Sequence, residues 1–190
     1  MPELILIKHS LPEMLPGIPA REWHLSPEGR QRCQPLADEL KSFTRLRIFS
    51  SLEPKALETA EIIARYLGSP IEARAGLHEH SRRTAEFLSQ KDFRASVKRL
   101  FIEPGELVFG EETAFQAQER FSRCVAEILS EYPAQNLAIV AHGTVISLFI
   151  ARHCLIEPFH LWQRLELPSF VILSLPELRL LSITENILKP

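Results

Sequence analysis

The stretch LILIKHS, residues 4–10, decides how this chain is read. Four apolar residues run without a polar spacer into Lys8 and His9, and Pro12 closes the segment. A continuous apolar run of this kind reads as a strand covered on both faces, as in parallel sheets. Either the strand ends on a cation and an imidazole by accident, or it exists to hold His9 in place. A second stretch, LAIVAHG at residues 137–143, repeats the arrangement and delivers His142. In open α/β sheets, ligand crevices form at the carboxyl ends of the strands. One histidine there is more often a hydrogen-bonded core residue than a functional one. Two in the same topological position point to function.

Outward from these strands the chain alternates. HLSPEGRQRCQPLADELKSF (24–43) opens a helix in which Ser26 is placed to cap the N-terminus. Pro27 takes the first helical position, where its missing N–H is not needed, and Leu36 and Leu40 carry the apolar stripe. LRIFSS (46–51) is a short strand ending in serines. PKALETAEIIARYLG (54–68) is a helix that starts on Pro54 and stops at Gly68. PIEA (70–73) is a candidate third strand. Residues 78–111 are the least regular part, with one helix expected at 91–101. EETAFQAQERFSRCVAEILSEY (111–132) is a long helix ended by Pro133, and TVISLFIARHCL (144–155) is another. PSFVILSLPELRLLSIT (168–184) offers two closing strands around Pro176-Glu177. The pattern predicts an α/β fold of three layers, a mostly parallel central sheet with helices on both faces. One domain is expected over 1–190, with a variable, cap-like segment around 78–111.

Bulk composition narrows the classes. A chain of 190 residues can bury a sizeable single core. With 22 Lys and Arg against 24 Asp and Glu it carries no basic field, so neither nucleic acid nor a membrane is expected as a partner. Cys33, Cys124 and Cys154 are odd in number, far apart and form no CxxC pair. That argues against a disulfide framework and a zinc cluster, and fits a reducing, cytoplasmic setting. MPELILIKHS lacks the basic start and cleavage site of a signal peptide. The longest apolar stretch, VISLFIARHCLI (145–156), is broken by Arg152 and His153 and falls short of the ~18 residues a membrane span needs. No cofactor is expected, and no residue cluster suggests a metal. The sequence leaves the oligomeric state open.

Two further segments carry candidate chemistry. FSSLEPK (49–55) puts Ser50 and Ser51 at a strand end and Lys55 one turn into the next helix, a natural anion site. Alone, Lys55 reads as a surface charge. GLHEHSRR (76–83) sets Glu79 beside Arg82 and Arg83, and its plainer reading is a salt-bridged loop. Phe87, Phe93, Phe101 and Phe109 lie in or beside the variable segment; they are expected to form a small satellite core sooner than to line a leaving-group site. Trp23 and His24 are placed to approach the mouth of the site.

Taken together these landmarks resemble the histidine phosphatase superfamily, the phosphoglycerate-mutase-like enzymes. LIKHS stands where that family has its strand-ending Arg-His-Gly, and LSPEGRQRC resembles its helix opening. SSLEPKALETAE resembles Ser-Ser-Pro-Leu-x-Arg-Ala-x-x-Thr-Ala-Glu, and LHEH resembles the segment carrying the acid. FGEETAFQAQERF is similar to its Gly-Glu-Ser helix start, and VAHGTVI to its Ser/Ala-His-Gly. The resemblance implies that His9 is the nucleophile that takes a phosphoryl group. It implies that Lys8, Lys55, Ser10 and His142 form the phosphate pocket, with His142 also in the catalytic set. Glu79 is implied to protonate the leaving alcohol and then to activate water. The implied activity is that of a metal-independent phosphomonoesterase with a phosphohistidine intermediate, acting on a small phosphorylated molecule or a phosphoprotein.

The chain departs from the pattern at Lys8, Lys55 and Ser10, where the family has arginine, arginine and glycine. Charge is kept, but the planar fork that grips phosphate bidentately is lost. Arg82 or Arg83 is the candidate for a replacement fork. Two other readings stay open: a weakly active or inactive phospholigand-binding relative, and a phosphoglycerate-type mutase, which the short 78–111 segment disfavours.

Overall fold

The computed structural model describes residues 2–82 and 88–188, so Arg83 and Phe87 lie outside the described residues. Its centre is a six-stranded sheet built from β1 (Glu3–Lys8), β2 (Arg47–Ser50), β3 (Ile71–Ala73), β4 (Leu137–Ala141), β5 (Ser169–Ser174) and β6 (Leu180–Thr184). The order is β3-β2-β4-β1-β5-β6. The first four of these run parallel, β5 pairs antiparallel with β1, and β6 pairs antiparallel with β5.

Among the described residues six α-helices cover the sheet: α1 (Pro27–Leu40), α2 (Pro54–Leu67), α3 (Gln90–Ile102), α4 (Ala114–Glu131), α5 (Gly143–His153) and α6 (Pro158–Arg164). The reason for three layers is visible along β1, whose side chains alternate in direction. Ile5 and Ile7 join Leu36 and Leu40 of α1 and Ala60 and Ile63 of α2 in one core. Leu4 and Leu6 join Leu100, Phe121, Val145 and Leu161, from α3, α4, α5 and α6, in the other. Both faces are dry, which is why the strand reads as an unbroken apolar run.

Helix ends follow the expected chemistry. Ser26 Oγ accepts the Gly29 N–H at 2.9 Å, with Pro27 at the first helical position. Gly68 ends α2 at φ 62°, a left-handed geometry that glycine adopts without strain. Thr113 and Gln116 form a reciprocal capping box at the start of α4. The seven-residue α6 was not expected from the sequence. Its signal is Glu157-Pro158, with the Glu157 carboxylate accepting the N–H groups of Phe159 and His160 at 2.9 and 2.6 Å. Phe93, Phe101 and Phe109 form no satellite cluster; they pack against the larger core, because α3 lies directly on α6. Among the described residues no helix is long and apolar enough to cross a membrane.

Candidate active site

Strand register brings the two histidines together. Lys8 of β1 lies opposite Ala141 of β4, and the His9 N–H donates to the Ala141 carbonyl at 3.0 Å. The next residue on each parallel strand is therefore a histidine. Their rings meet edge to face with centroids 5.2 Å apart, and both are buried. On the other side of β4, Ser50 of β2 pairs with Val140, so Ser51 arrives beside His142 with its Oγ 2.9 Å from Nε2. After β3 the chain passes a single 3₁₀ turn, Ala75–Leu77, and reaches Glu79 at the same edge. Its carboxylate accepts the Thr144 N–H, in the first turn of α5, at 3.1 Å.

The His9 ring is oriented by its neighbour. Nδ1 lies 2.7 Å from the Ser10 carbonyl, which can only accept. Nδ1 therefore carries the proton and the lone pair sits on Nε2. Burial, then His142, then Lys55 push the His9 pKa well below its usual value, against a smaller opposing pull from the Ser10 carbonyl. His142 is pushed down for a similar reason, first by burial and then by Lys55. Both imidazoles are neutral near pH 7. His142 Nδ1 is enclosed and has no hydrogen-bond partner among the described residues.

The cations are less free than the sequence suggests. Lys8 runs past Gly143 and donates to the Leu165 carbonyl at the end of α6 at 2.6 Å. Lys55 is buried and donates to the Ala20 carbonyl at 2.7 Å and to Glu53 at 2.6 Å. An ammonium has three donors, so two remain on Lys8 and one on Lys55. The segment that contains Ala20 also meets α2 through the Lys55 N–H, which donates to the Trp23 carbonyl at 3.1 Å. The chain before Ser26 thus packs over Lys55, while His24 turns outward to Glu58. Ser10 is fully enclosed: its N–H donates to Thr59 Oγ1 at 3.0 Å and its hydroxyl to the Gly29 carbonyl at 2.7 Å. These bonds fix the turn after His9.

Arg82 lies within electrostatic reach of Glu79 and His142. Its guanidinium carbon is 4.9 Å from the Phe93 ring centroid and 5.5 Å from that of Phe109, which holds it as a cation–π pair. Burial raises the Glu79 pKa, but Arg82, His142 and the His80 N–H together outweigh it and leave the carboxyl below its usual range. The resting site therefore holds Glu79 as a carboxylate.

Three residues that shape the candidate site were missed in the sequence. Glu53 occupies the position at which the Ser-Ser-Pro-Leu-x-Arg pattern has leucine, and that mismatch was its signal. One of its oxygens accepts the Glu79 N–H at 2.8 Å. The other two are Arg120 and Glu112, which clamp the acid-bearing segment. Arg120 donates to the carbonyls of Gly76, His78 and Glu79 at 2.8, 2.9 and 3.2 Å, and to Glu112 at 2.6 Å. Glu112 in turn accepts the Ser81 N–H at 2.8 Å, and its carbonyl accepts His80 Nε2–H at 2.6 Å. Gly110 completes the clamp at φ 90°, where a Cβ would collide with the Ser81 carbonyl oxygen.

The cysteines stand apart from this chemistry; burial pushes the Cys33 thiol up to about 11. Among the described residues, no group of three or more His, Cys, Asp or Glu side chains is arranged to hold a metal ion.

A family profile for the histidine phosphatase superfamily (branch 1) matches residues 17–177. This chain belongs to the histidine phosphatase superfamily. The matched span begins after His9, so the place of His9 rests on the strand-end geometry. Solved structures agree on the fold. A phosphoserine phosphatase mutant from Entamoeba histolytica, in complex with phosphoserine, has a TM-score of 0.79 at 19% identity over 100% of both chains. Bacillus stearothermophilus YhfR has 0.76 at 22% identity, covering 97% of this chain and 96% of its own. A mycobacterial glucosyl-3-phosphoglycerate phosphatase has 0.73 at 18% identity, with 90% and 89% covered. No curated protein matches in sequence. Family membership supports a phosphoric monoester hydrolase of the histidine phosphatase type.

Proposed function

We propose that the protein is a metal-independent phosphomonoesterase that works through a phosphohistidine on His9, in a cytoplasmic setting. The carrying observation is the His9 ring: neutral, pinned through Nδ1 to the Ser10 carbonyl, and set against His142 with cations around it. His9 Nε2 attacks phosphorus and the bond to the leaving oxygen breaks. Glu79 gives that oxygen its proton. Water then attacks the phosphohistidine, Glu79 takes the water's proton and passes it to the departing orthophosphate, and both His9 and the Glu79 carboxylate are restored. Positioning and charge dominate such a transfer. Because Glu79 is ionised at rest, its proton arrives with the ester; a phosphate monoester has its second pKa near ~6, so a monoanion brings one. His142, Lys8, Lys55 and Arg82 meet the charge on the phosphoryl oxygens, and Ser10 acts through the turn. Small phosphorylated molecules are the favoured substrates, in line with the phosphoserine and 3-phosphoglyceric acid bound by the Entamoeba enzyme. A screen of phosphomonoesters with His9→Ala as control tests the reading. Hydrolysis by wild type alone supports it; equal rates in both, or exchange of phosphoglycerate isomers instead of hydrolysis, overturns it.

Lys8 adds a pH signature. It keeps some solvent contact, yet the protein around its ammonium lowers its pKa from 10.5 to about 8, with Glu79 and Glu166 pulling weakly the other way. Between these values the unfolded chain binds more protons at this group than the folded one, so the Lys8 contribution to stability rises with pH. Over the same window the site loses a cation. Activity is therefore expected to fall as pH rises through about 8, while Lys8→Arg, charged throughout, keeps its activity to higher pH. Lys8→Met at pH 7 is expected to lower kcat/KM by at least about 100-fold. Its Tm should change little, because the bond lost to Leu165 is offset by removing a buried charge. A common alkaline limb in wild type and Lys8→Arg would remove Lys8 from the phosphate site.

A further inference from the structure

We infer that Glu53 is a specificity-determining residue, a resident carboxylate that weakens the hold of the site on a phosphate dianion and so limits retention of the orthophosphate product. The inference rests on the reading of this cleft as a phosphate pocket.

The carboxylate of Glu53 lies among donors that a phosphate would use. One oxygen is 2.6 Å from Lys55 Nζ. The other accepts the Glu79 N–H at 2.8 Å and stands 3.6 Å from His142 Nε2. Its side chain is only 11% exposed, and that of Lys55 only 7%, so water screens the pair weakly. Charged groups described around the cleft include Lys8, Lys55 and Arg82 against Glu53 and Glu79, with Glu166 within electrostatic reach of Lys8. In the proposed reaction Glu79 moves protons, and no step is assigned to Glu53. Its charge opposes that of Lys55, and it stands where the family pattern has leucine, two residues before its arginine. A dianion bound against Lys55 meets the repulsion of Glu53 together with the attraction of the ammonium.

A competing role has the opposite sign. If Glu53 only holds Lys55 in position, weakening that hold lowers phosphate affinity. If it is a competing anion, neutralising it raises affinity.

The test is calorimetric titration of the full chain with orthophosphate, for wild type, Glu53→Gln and Glu53→Leu. The glutamine is nearly isosteric and still accepts the Glu79 N–H, so it decides the matter if the leucine variant fails to fold. Orthophosphate should bind the glutamine variant at least tenfold more tightly than wild type. It should also become a stronger competitive inhibitor of p-nitrophenyl phosphate hydrolysis. Unchanged or weaker binding by Glu53→Gln, with wild type binding measurably, overturns the inference alone. Orthophosphate binding to none of the variants overturns the phosphatase reading and this inference with it.

Discussion

His9→Ala should abolish hydrolysis, with kcat/KM lower by at least about 10⁴-fold and the fold intact. Removal of a covalent nucleophile elsewhere reaches ~10⁶-fold, because no other group can take over the bond-forming step. His142 cannot substitute: its Nε2 is engaged by Ser51, and it enters the cleft from β4, one strand away. The fold should survive because His9 contributes one side-chain bond, to the Ser10 carbonyl. The turn is held independently by Ser10 through Thr59 and Gly29. Activity on several esters, with circular dichroism melting as the control for folding, checks this. A residual rate within tenfold of wild type in a folded variant would move the nucleophile elsewhere.

Glu79→Gln should divide substrates by leaving group. General acid help is worth about 10²–10⁴-fold where the departing oxygen is a poor leaving group. Alkyl phosphates should therefore lose about 10³-fold. An aryl ester such as p-nitrophenyl phosphate, whose phenolate leaves unaided, should lose less than about tenfold. Glutamine also gives up one of the two N–H bonds that Glu79 accepts, from His80 and Thr144, so a small loss on every substrate is expected. Equal large losses on both ester types would make Glu79 structural. The Arg120–Glu112 clamp gives the physical reason for confining the acid: three backbone carbonyls of its segment converge on one guanidinium.

Much of this was legible in the chain, and for local reasons. The apolar run before Lys8, the Ser26 cap, Pro54 and Gly68 each act within a few residues, and each agreed with the fold around it. The two strand-ending histidines could be named because a parallel pair places equivalent ends together. What stayed hidden acts at long range. That β5 returns antiparallel against β1 depends on register across more than 160 residues, and no local pattern near Ser169 states its partner. Arg120 lies in an amphipathic helix where a basic residue reads as solvated, although its guanidinium reaches back over forty residues to the acid segment. Lys55 reads as a surface charge by itself and as a phosphate cation only through the family resemblance, and nothing in FSSLEPK marks Glu53, two residues earlier, as its partner. Only the fold shows the pair enclosed beside His142.

Rapid-quench trapping tests most directly whether the phosphoryl group passes through His9. The protein is mixed with a good substrate, quenched in base within milliseconds, digested and read by mass spectrometry. A phosphoryl group on the peptide containing His9, stable in base and lost in mild acid as a phosphoramidate is, is the result expected. Label on Ser10, Ser51 or any other hydroxyl, or rapid turnover with no labelled histidine at any quench time, would contradict it.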